Sequence, residues 1–341
     1  MSFHVPTVDI SSYTGLADPF GRPATAAALD AACREVGFIQ IVGHGVPDDV
    51  SAGLAAAMDS FFGQDLETKK AARTSGVNRG YTPPKSEALS LSAGVAPADR
   101  MNDFFEAFNI GVTTDDHPEL ALPADHYAQN LWPDVPGFEE QVQRYFHEAR
   151  RVARALTTGF ADALGLPGDF FESFTDHSID VLRMNNYALP PGEIELDADL
   201  TGMGEHTDFG IVTVLWADRV AGLQVLGHDG AWHDVMPEPG ALLVNLGDLM
   251  ARWTGDRWLS TLHRVKPPVV DGRIERRRSA ALFHDGNSDA LIRTLPSADG
   301  VAYEPIRVDE HIEAKLNGSR GGVLNTTATR EAERIRTAVP G

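Results

Sequence analysis

Between residues 181 and 285 the chain is cut into short apolar runs separated by turn residues: VLRMNNYAL, GIVTVLWA, GLQVLGHDGAWHDV, GALLVNLGD, WLSTLHRV and RSAALFHD. Runs of this length, rich in Val and Leu and bounded by Gly, Asn and Asp, fit strands and are too short to stand as helices. Six of them in little more than a hundred residues restrict this half of the chain to an antiparallel sandwich or jelly roll. His228-Asp229-Gly230 supplies a hairpin turn between LQVL and WHDV.

The remainder supplies mostly helices, so the predicted fold is mainly β with helices. Residues 5–10 alternate in the manner of a short strand. Residues 26–35 hold good helix formers, with Thr25 as N-cap and Gly37 as the stop, and residues 38–42 read as a buried strand. Residues 48–62 form a second helical pattern, with Asp48 or Asp49 as N-cap. From 137 to 165, Val142, Tyr145, Phe146, Val152, Leu156, Phe160 and Leu164 recur at helical spacing, which predicts a long amphipathic helix packed across the sheet. Residues 74–136 are richer in Gly, Pro and polar residues, and Asn78-Arg79-Gly80-Tyr81-Thr82-Pro83-Pro84 reads as loop. The expected organisation is an N-terminal region (1–120), a helical support (121–175), a core (176–290) and a C-terminal extension (291–341), all in one compact unit.

Asp and Glu outnumber Lys and Arg by 49 to 29, a formal charge of −20. Such a surface repels phosphate backbones and anionic headgroups, which argues against nucleic-acid or membrane partners and leaves a small molecule as the expected one. No apolar run approaches the roughly 20 residues of a membrane helix, and no signal-peptide pattern opens the chain, so a cytoplasmic location is expected. Cys33, the only cysteine, reads as a buried core thiol. Nothing in the sequence bears on oligomeric state.

The chemistry concentrates in three short stretches. In Gly204-Glu205-His206-Thr207-Asp208-Phe209-Gly210 an extended backbone puts His206 and Asp208 on one face, although an H-x-D pair near a turn is common. His263 lies in the apolar segment LHRV, 57 residues after His206; a lone histidine there is ordinarily a satisfied core residue. Two imidazoles and one carboxylate leave coordination positions open and suit iron(II), while zinc accepts the same ligand types. In Arg276-Arg277-Arg278-Ser279, alternation puts Arg277 and Ser279 on one face with Arg278 opposite. The pair suits a carboxylate anchor, and a solvated basic edge is the plainer reading.

His206-x-Asp208, His263 and Arg277-x-Ser279, in this order and at these intervals, resemble the 2-oxoglutarate- and iron(II)-dependent dioxygenases. The closer likeness is to the group that includes isopenicillin N synthase and the plant flavonoid and gibberellin oxidases. ACREVGFIQIVGHGVP, RGYTPPKSEAL and DFFEAFNIG are similar to that group's N-terminal blocks, and LRMNNYALPP resembles its N-x-Y element. The resemblance runs from about residue 5 to 285, and the last 56 residues carry no motif.

That resemblance implies a distorted double-stranded β-helix (jelly roll) core flanked by α-helices, with iron(II) on His206, Asp208 and His263. It implies 2-oxoglutarate held by Arg277 and Ser279, with Tyr187 and Asn185 nearby. It also implies use of O2 to oxidise a C–H bond of a small molecule, by hydroxylation, desaturation or ring closure, with release of succinate and CO2. Two other readings stand beside it: an iron oxidase that dispenses with 2-oxoglutarate, and a non-catalytic metal-containing jelly roll. His44, His228 and His284 are expected to be structural or solvent-facing. Phe104, Phe105 and Phe108 read first as core residues, and Trp253 and Trp258 flank a turn. Residues 78–111 are expected to form a lid over the iron-facing cavity.

Overall fold

The computed structural model describes residues 3–74, 76–95, 103–188, 202–267, 269–270, 273–296, 300–326 and 328–337. The first four strands are β1 (Thr7–Asp9), β2 (Phe38–Val42), β3 (Gly80–Thr82) and β4 (Glu106–Gly111). Then come β5 (Val181–Tyr187), β6 (Met203–His206), β7 (Val212–Ala217), β8 (Leu223–Leu226), β9 (Trp232–Asp234), β10 (Leu242–Leu246) and β11 (His263–Val265). A small hairpin, β12 (Val269–Val270) and β13 (Arg273–Ile274), precedes β14 (Arg277–His284). Every apolar run read from the sequence carries a strand, although in WLSTLHRV only the last three residues are extended.

Eight strands build the main sheet in the order β1-β2-β10-β7-β14-β5-β4-β3, and four build a smaller one, β6-β11-β8-β9. Apart from the parallel β1–β2 pair, the ladders of both sheets are antiparallel. The N-terminal strands therefore complete the same sheet as the core strands.

The helices are α1 (Ser11–Thr14), α2 (Arg22–Glu35), α3 (Asp48–Phe62), α4 (Leu66–Lys70), α5 (Leu89–Ser92), α6 (Phe138–Leu164), α7 (Glu172–Thr175), α8 (Asp248–Trp253), α9 (Val308–Ser319) and α10 (Thr329–Thr337). The long amphipathic helix forms as predicted: Val142, Tyr145, Val152, Leu156 and Phe160 of α6 are buried in one cluster with Leu182, Met184, Val212, Val214, Ala280 and Leu282. Those sheet residues alternate with Arg183, Asn185, Thr213, Leu215, Ser279 and Ala281, which line a cavity on the opposite face.

Two predicted caps are wrong, for one reason. Proline, which fixes φ and lacks an N–H, opens helices readily. Pro23 stands in the first turn of α2, so Thr25 falls inside the helix and its hydroxyl donates to the Asp9 carbonyl at 3.3 Å. Pro47 takes the N-cap of α3, which moves Asp48 and Asp49 into the first turn, where carboxylates favour the helix dipole.

The lid expectation also needs correction. Within 78–111, β3 and β4 are strands of the main sheet, and residues 96–102 lie outside the described residues. Phe108 packs edge-on against Phe61 and Phe138, with ring centroids 4.8 and 5.2 Å apart, and Phe105 lies 5.7 Å from Tyr187. Trp253 and Trp258 are core residues as well.

The C-terminal extension, silent in the sequence, is pinned to the core by charge. Lys315 of α9 is buried and ion-paired with Asp248 at 2.6 Å, with Glu331 of α10 at 3.6 Å. Burial pushes the Asp248 carboxyl up, and Lys315 with His311 more than reverses it, so the net shift is downward. Breaking a buried pair by removing one partner strands the other charge. Lys315→Met is therefore expected to destabilise the protein by roughly 3–5 kcal/mol in chemical denaturation; an unchanged midpoint would show that the pair does not anchor α9.

Candidate active site

The cavity lies between the two sheets. Arg183, Asn185 and Tyr187 of β5 and Arg277 and Ser279 of β14 come from the main sheet, whereas His206 of β6, Leu223 of β8 and His263 of β11 come from the smaller one. His206 and His263 are direct cross-strand partners, which brings their ring centroids to 4.2 Å. Asp208, two residues past the end of β6, places Oδ1 3.9 Å from His206 Nε2 and 3.6 Å from His263 Nε2. All three side chains are buried, and one ligand atom from each lies within 4.8 Å of the other two.

Each ring is oriented from behind. Nδ1 of His206 lies 2.7 Å from the Gly204 carbonyl and Nδ1 of His263 lies 3.0 Å from the Thr261 carbonyl. A carbonyl only accepts, so Nδ1 carries a proton and Nε2 is the nitrogen that faces the centre. Burial, with His263 adding, lowers the His206 pKa to about 3 and keeps that ring neutral.

Asp208 Oδ2 accepts from Thr213 Oγ1 at 2.5 Å and Asn245 Nδ2 at 2.7 Å, which leaves Oδ1 for the centre. Sequence reasoning missed both partners, although each is the lone polar residue in its apolar run, IVTVLW or ALLVNL. The loop carrying Asp208 is held by the start of α8. Backbone N–H groups of Gly247, Asp248 and Leu249 donate to the carbonyls of Ile211, Asp208 and Gly210 at 3.2, 2.9 and 3.1 Å. A Cβ at 247 would lie 2.2 Å from the Gly210 carbonyl oxygen, so this approach requires glycine.

The other end of the cavity carries Arg277. Its residue exposure is 2%, its guanidinium lies 5.2 Å over the Tyr187 ring, and Nε and Nη1 have no hydrogen-bond partner. The β14–β5 register sets Arg277 opposite Tyr187 and Ser279 opposite Asn185, so the four expected residues form one patch. Within it, Asn185 Oδ1 already accepts from Arg183 Nε at 3.1 Å. Arg278 points away, to Asp59 at 2.8 Å and Asp218 at 3.3 Å, as alternation predicts, and Arg276 pairs with Asp59 at 2.6 Å.

An unpaired buried guanidinium is costly, and its fork matches a carboxylate. Two imidazoles and a carboxylate match ferrous iron with positions left open. The residues present therefore fit both an iron ion and a keto acid.

The mouth is built partly from the 78–111 segment, expected over the cavity, and partly from residues the sequence did not point to. Glu87 is held by Arg183 Nη2 at 2.6 Å and Arg320 Nε at 2.8 Å, and Ile312, Leu316 and Ser319 of α9 line the wall. Within 78–111 the contributions are Asn78, Glu87, Leu89 and Asn109. The three histidines expected to be structural or solvent-facing are held by the chain: His284 is buried on Asp180 at 2.8 Å, His44 lies 2.9 Å from the Gly240 carbonyl, and His228 lies 2.7 Å from that of Glu35. Among the described residues no helix is long and apolar enough to cross a membrane.

Comparison with known proteins agrees with this geometry. The family model described as non-haem dioxygenase in morphine synthesis N-terminal matches residues 5–135, and that of the 2OG-Fe(II) oxygenase superfamily matches residues 179–286. The chain is 32% identical over 327 residues to a 2-oxoglutarate-Fe(II) type oxidoreductase of Emericella nidulans, covering 93% of this chain and 90% of the relative. It is 32% identical over 323 residues to validamycin A dioxygenase of Streptomyces hygroscopicus subsp. limoneus, covering 92% and 86%. Neurospora crassa T7H, crystallised with alpha-ketoglutarate and thymine, matches with a TM-score of 0.78 at 26% identity, covering 92% of this chain and 96% of that one. The double-stranded β-helix core is common to such oxygenases, and the relatives' names set aside the keto-acid-free oxidase and the non-catalytic jelly roll. The chain belongs to the 2OG-Fe(II) oxygenase superfamily and is a 2-oxoglutarate-dependent non-haem iron dioxygenase.

Proposed function

We propose that His206, Asp208 and His263 hold the iron(II) and that Arg277 and Ser279 hold the far carboxylate of 2-oxoglutarate, with Tyr187 and Asn185 bordering it. The observation that carries this reading is the unpartnered Arg277 guanidinium sharing one buried cavity with the two histidines and the aspartate. Iron and keto acid together supply an oxidant made from O2, with succinate and CO2 as co-products. The chain orients and shields: carbonyls behind the rings fix the imidazoles, Thr213 and Asn245 fix Asp208, and apolar walls exclude water.

The primary substrate in this reading is a small molecule whose C–H bond is oxidised, by hydroxylation foremost and by desaturation or cyclisation as other outcomes. Relatives named for validamycin A and crystallised with thymine support a small molecule of that kind. Selectivity is assigned to Asn78, Glu87 and Asn109 together with α9, which line the same cavity. The four regions of the chain act here as one unit, because β1–β4 complete the core sheet and α9 closes its cavity.

Succinate formed in step with oxygen consumed, and only with iron(II) and 2-oxoglutarate present, tests the reaction. Two variants test the assignments. Arg277→Leu removes charge-assisted hydrogen bonds of about 1.5–3 kcal/mol, so the KM for 2-oxoglutarate should rise by roughly tenfold or more; an unchanged keto-acid dependence would give Arg277 another role. Asn245→Ala removes a donor behind Asp208, and loss of such support typically weakens metal binding by roughly 10–100-fold. Iron affinity measured under nitrogen should fall by that order, and wild-type affinity would show that Asp208 does not need Asn245.

A further inference from the structure

We infer that Asp285 recognises a cationic nitrogen, an ammonium or a guanidinium, on the primary substrate. The inference rests on the proposed iron and keto-acid site and adds the class of molecule that site takes.

Seven carboxylates are buried among the described residues, and six of them are held by the chain. Glu87 has Arg183 and Arg320, Asp103 the N–H groups of Leu89 and Gly204, Glu106 has Lys69, and Asp180 has Arg150 and His284. Asp208 has Thr213 and Asn245, and Asp248 has Lys315. Asp285 is the exception: 8% exposed, it has no hydrogen-bond or ion-pair partner among the described residues.

Its position is in the substrate space. Asp285 follows β14 and lines both the inner cavity and the outer vestibule that opens past Asn78, Asn109 and Arg320. Its carboxylate lies against the loop that carries Asp208, for a Cβ at Gly210 would meet Asp285 Oδ1 at 1.9 Å. It stands outside the group whose ligand atoms gather within 4.8 Å, so it is not a fourth member of the metal set.

A carboxyl buried this deeply needs a partner to remain ionised. Burial first, and then Asp180 and Asp208, push its carboxyl well above the usual carboxylate range. A cationic nitrogen placed against this carboxyl would hydrogen-bond both of its oxygens and hold it ionised, which a neutral donor does only in part. Asn109 adds a second open acceptor on the same wall: its Nδ2 donates to Asn78 Oδ1 at 2.7 Å, and its buried Oδ1 has no partner. Phe283, Ile312 and Leu316 supply apolar surface for a carbon skeleton.

The test is calorimetric titration of the full chain, loaded with manganese(II) and 2-oxoglutarate, with n-butylammonium, n-butylguanidinium, 1-pentanol and pentanoate. The expected result is that at least one cation binds wild type about tenfold or more tighter than the alcohol or the acid, the order expected of a charge-assisted hydrogen bond. Asp285→Asn should erase that preference. Cations that bind no better than 1-pentanol, or not at all, overturn the inference, as does a preference that survives in Asp285→Asn. Should that variant fail to fold, a crystal structure of the wild type with n-butylguanidinium decides: its nitrogens on Asp285 support the inference, and any other location overturns it. Loading is read separately from the rise in thermal midpoint when 2-oxoglutarate is added to the manganese form. No rise, with cation preference intact, counts against the keto-acid reading and not against Asp285.

Discussion

His206 and His263 face each other across the β6–β11 ladder, and a one-residue slip in that register would send one imidazole to the far side of the small sheet. The rest of the site is organised to keep the pairing in place. Thr261 and Gly204 supply the carbonyls behind the rings, Phe38 packs edge-on against His263 with ring centroids 5.3 Å apart, and α8 ties down the loop that brings Asp208 to the same point. Asp248 links this loop to the C-terminal helix: its backbone N–H holds the Asp208 carbonyl, while its side chain meets Thr207, Ser260 and Lys315. The loop that carries Asp208 and the α9 wall of the cavity thus share one buried anchor.

The period of two in the main sheet divides labour between its faces. On β14 and β5, Ala280, Leu282, Leu182 and Met184 meet α6, and the alternate residues Arg277, Ser279, Arg183 and Asn185 meet the cavity. The consequence is clearest at the arginine run. Arg276 and Arg278 are neutralised outside by Asp59, with Asp218 also holding Arg278, while Arg277 alone is carried inward with hydrogen-bonding capacity to spare. Two groups inside this cavity have no hydrogen-bond partner among the described residues, Nε and Nη1 of Arg277 and the carboxyl of Asp285.

Much of this architecture is legible in the order of the amino acids. Strand runs, the 3.6-residue stripe of α6 and the inward face of Arg277 and Ser279 follow from local periodicity. The features that escape such a reading have no local signature. Strand β6 is the short run MGEH, which has no apolar alternation, and the helix starts at Pro23 and Pro47 displace capping residues that look suitable in isolation. Thr213 and Asn245 are visible only as single polar breaks in apolar strands, and their role depends on a partner in a different loop. The contribution of α9 is set by contacts hundreds of residues apart, such as Arg320 with Glu87 at a separation of 233, and no motif encodes these.

In the proposed site one buried cavity between the sheets holds iron on His206, Asp208 and His263 and a keto acid against Arg277. Anaerobic titration of the iron(II) form with 2-oxoglutarate tests it most directly, because a keto acid chelated to ferrous iron gives a visible charge-transfer absorption. The band is expected to saturate at one iron and one 2-oxoglutarate per chain and to be absent from a folded His263→Ala variant. A band that persists unchanged in that variant, or no band in the wild type, would contradict it.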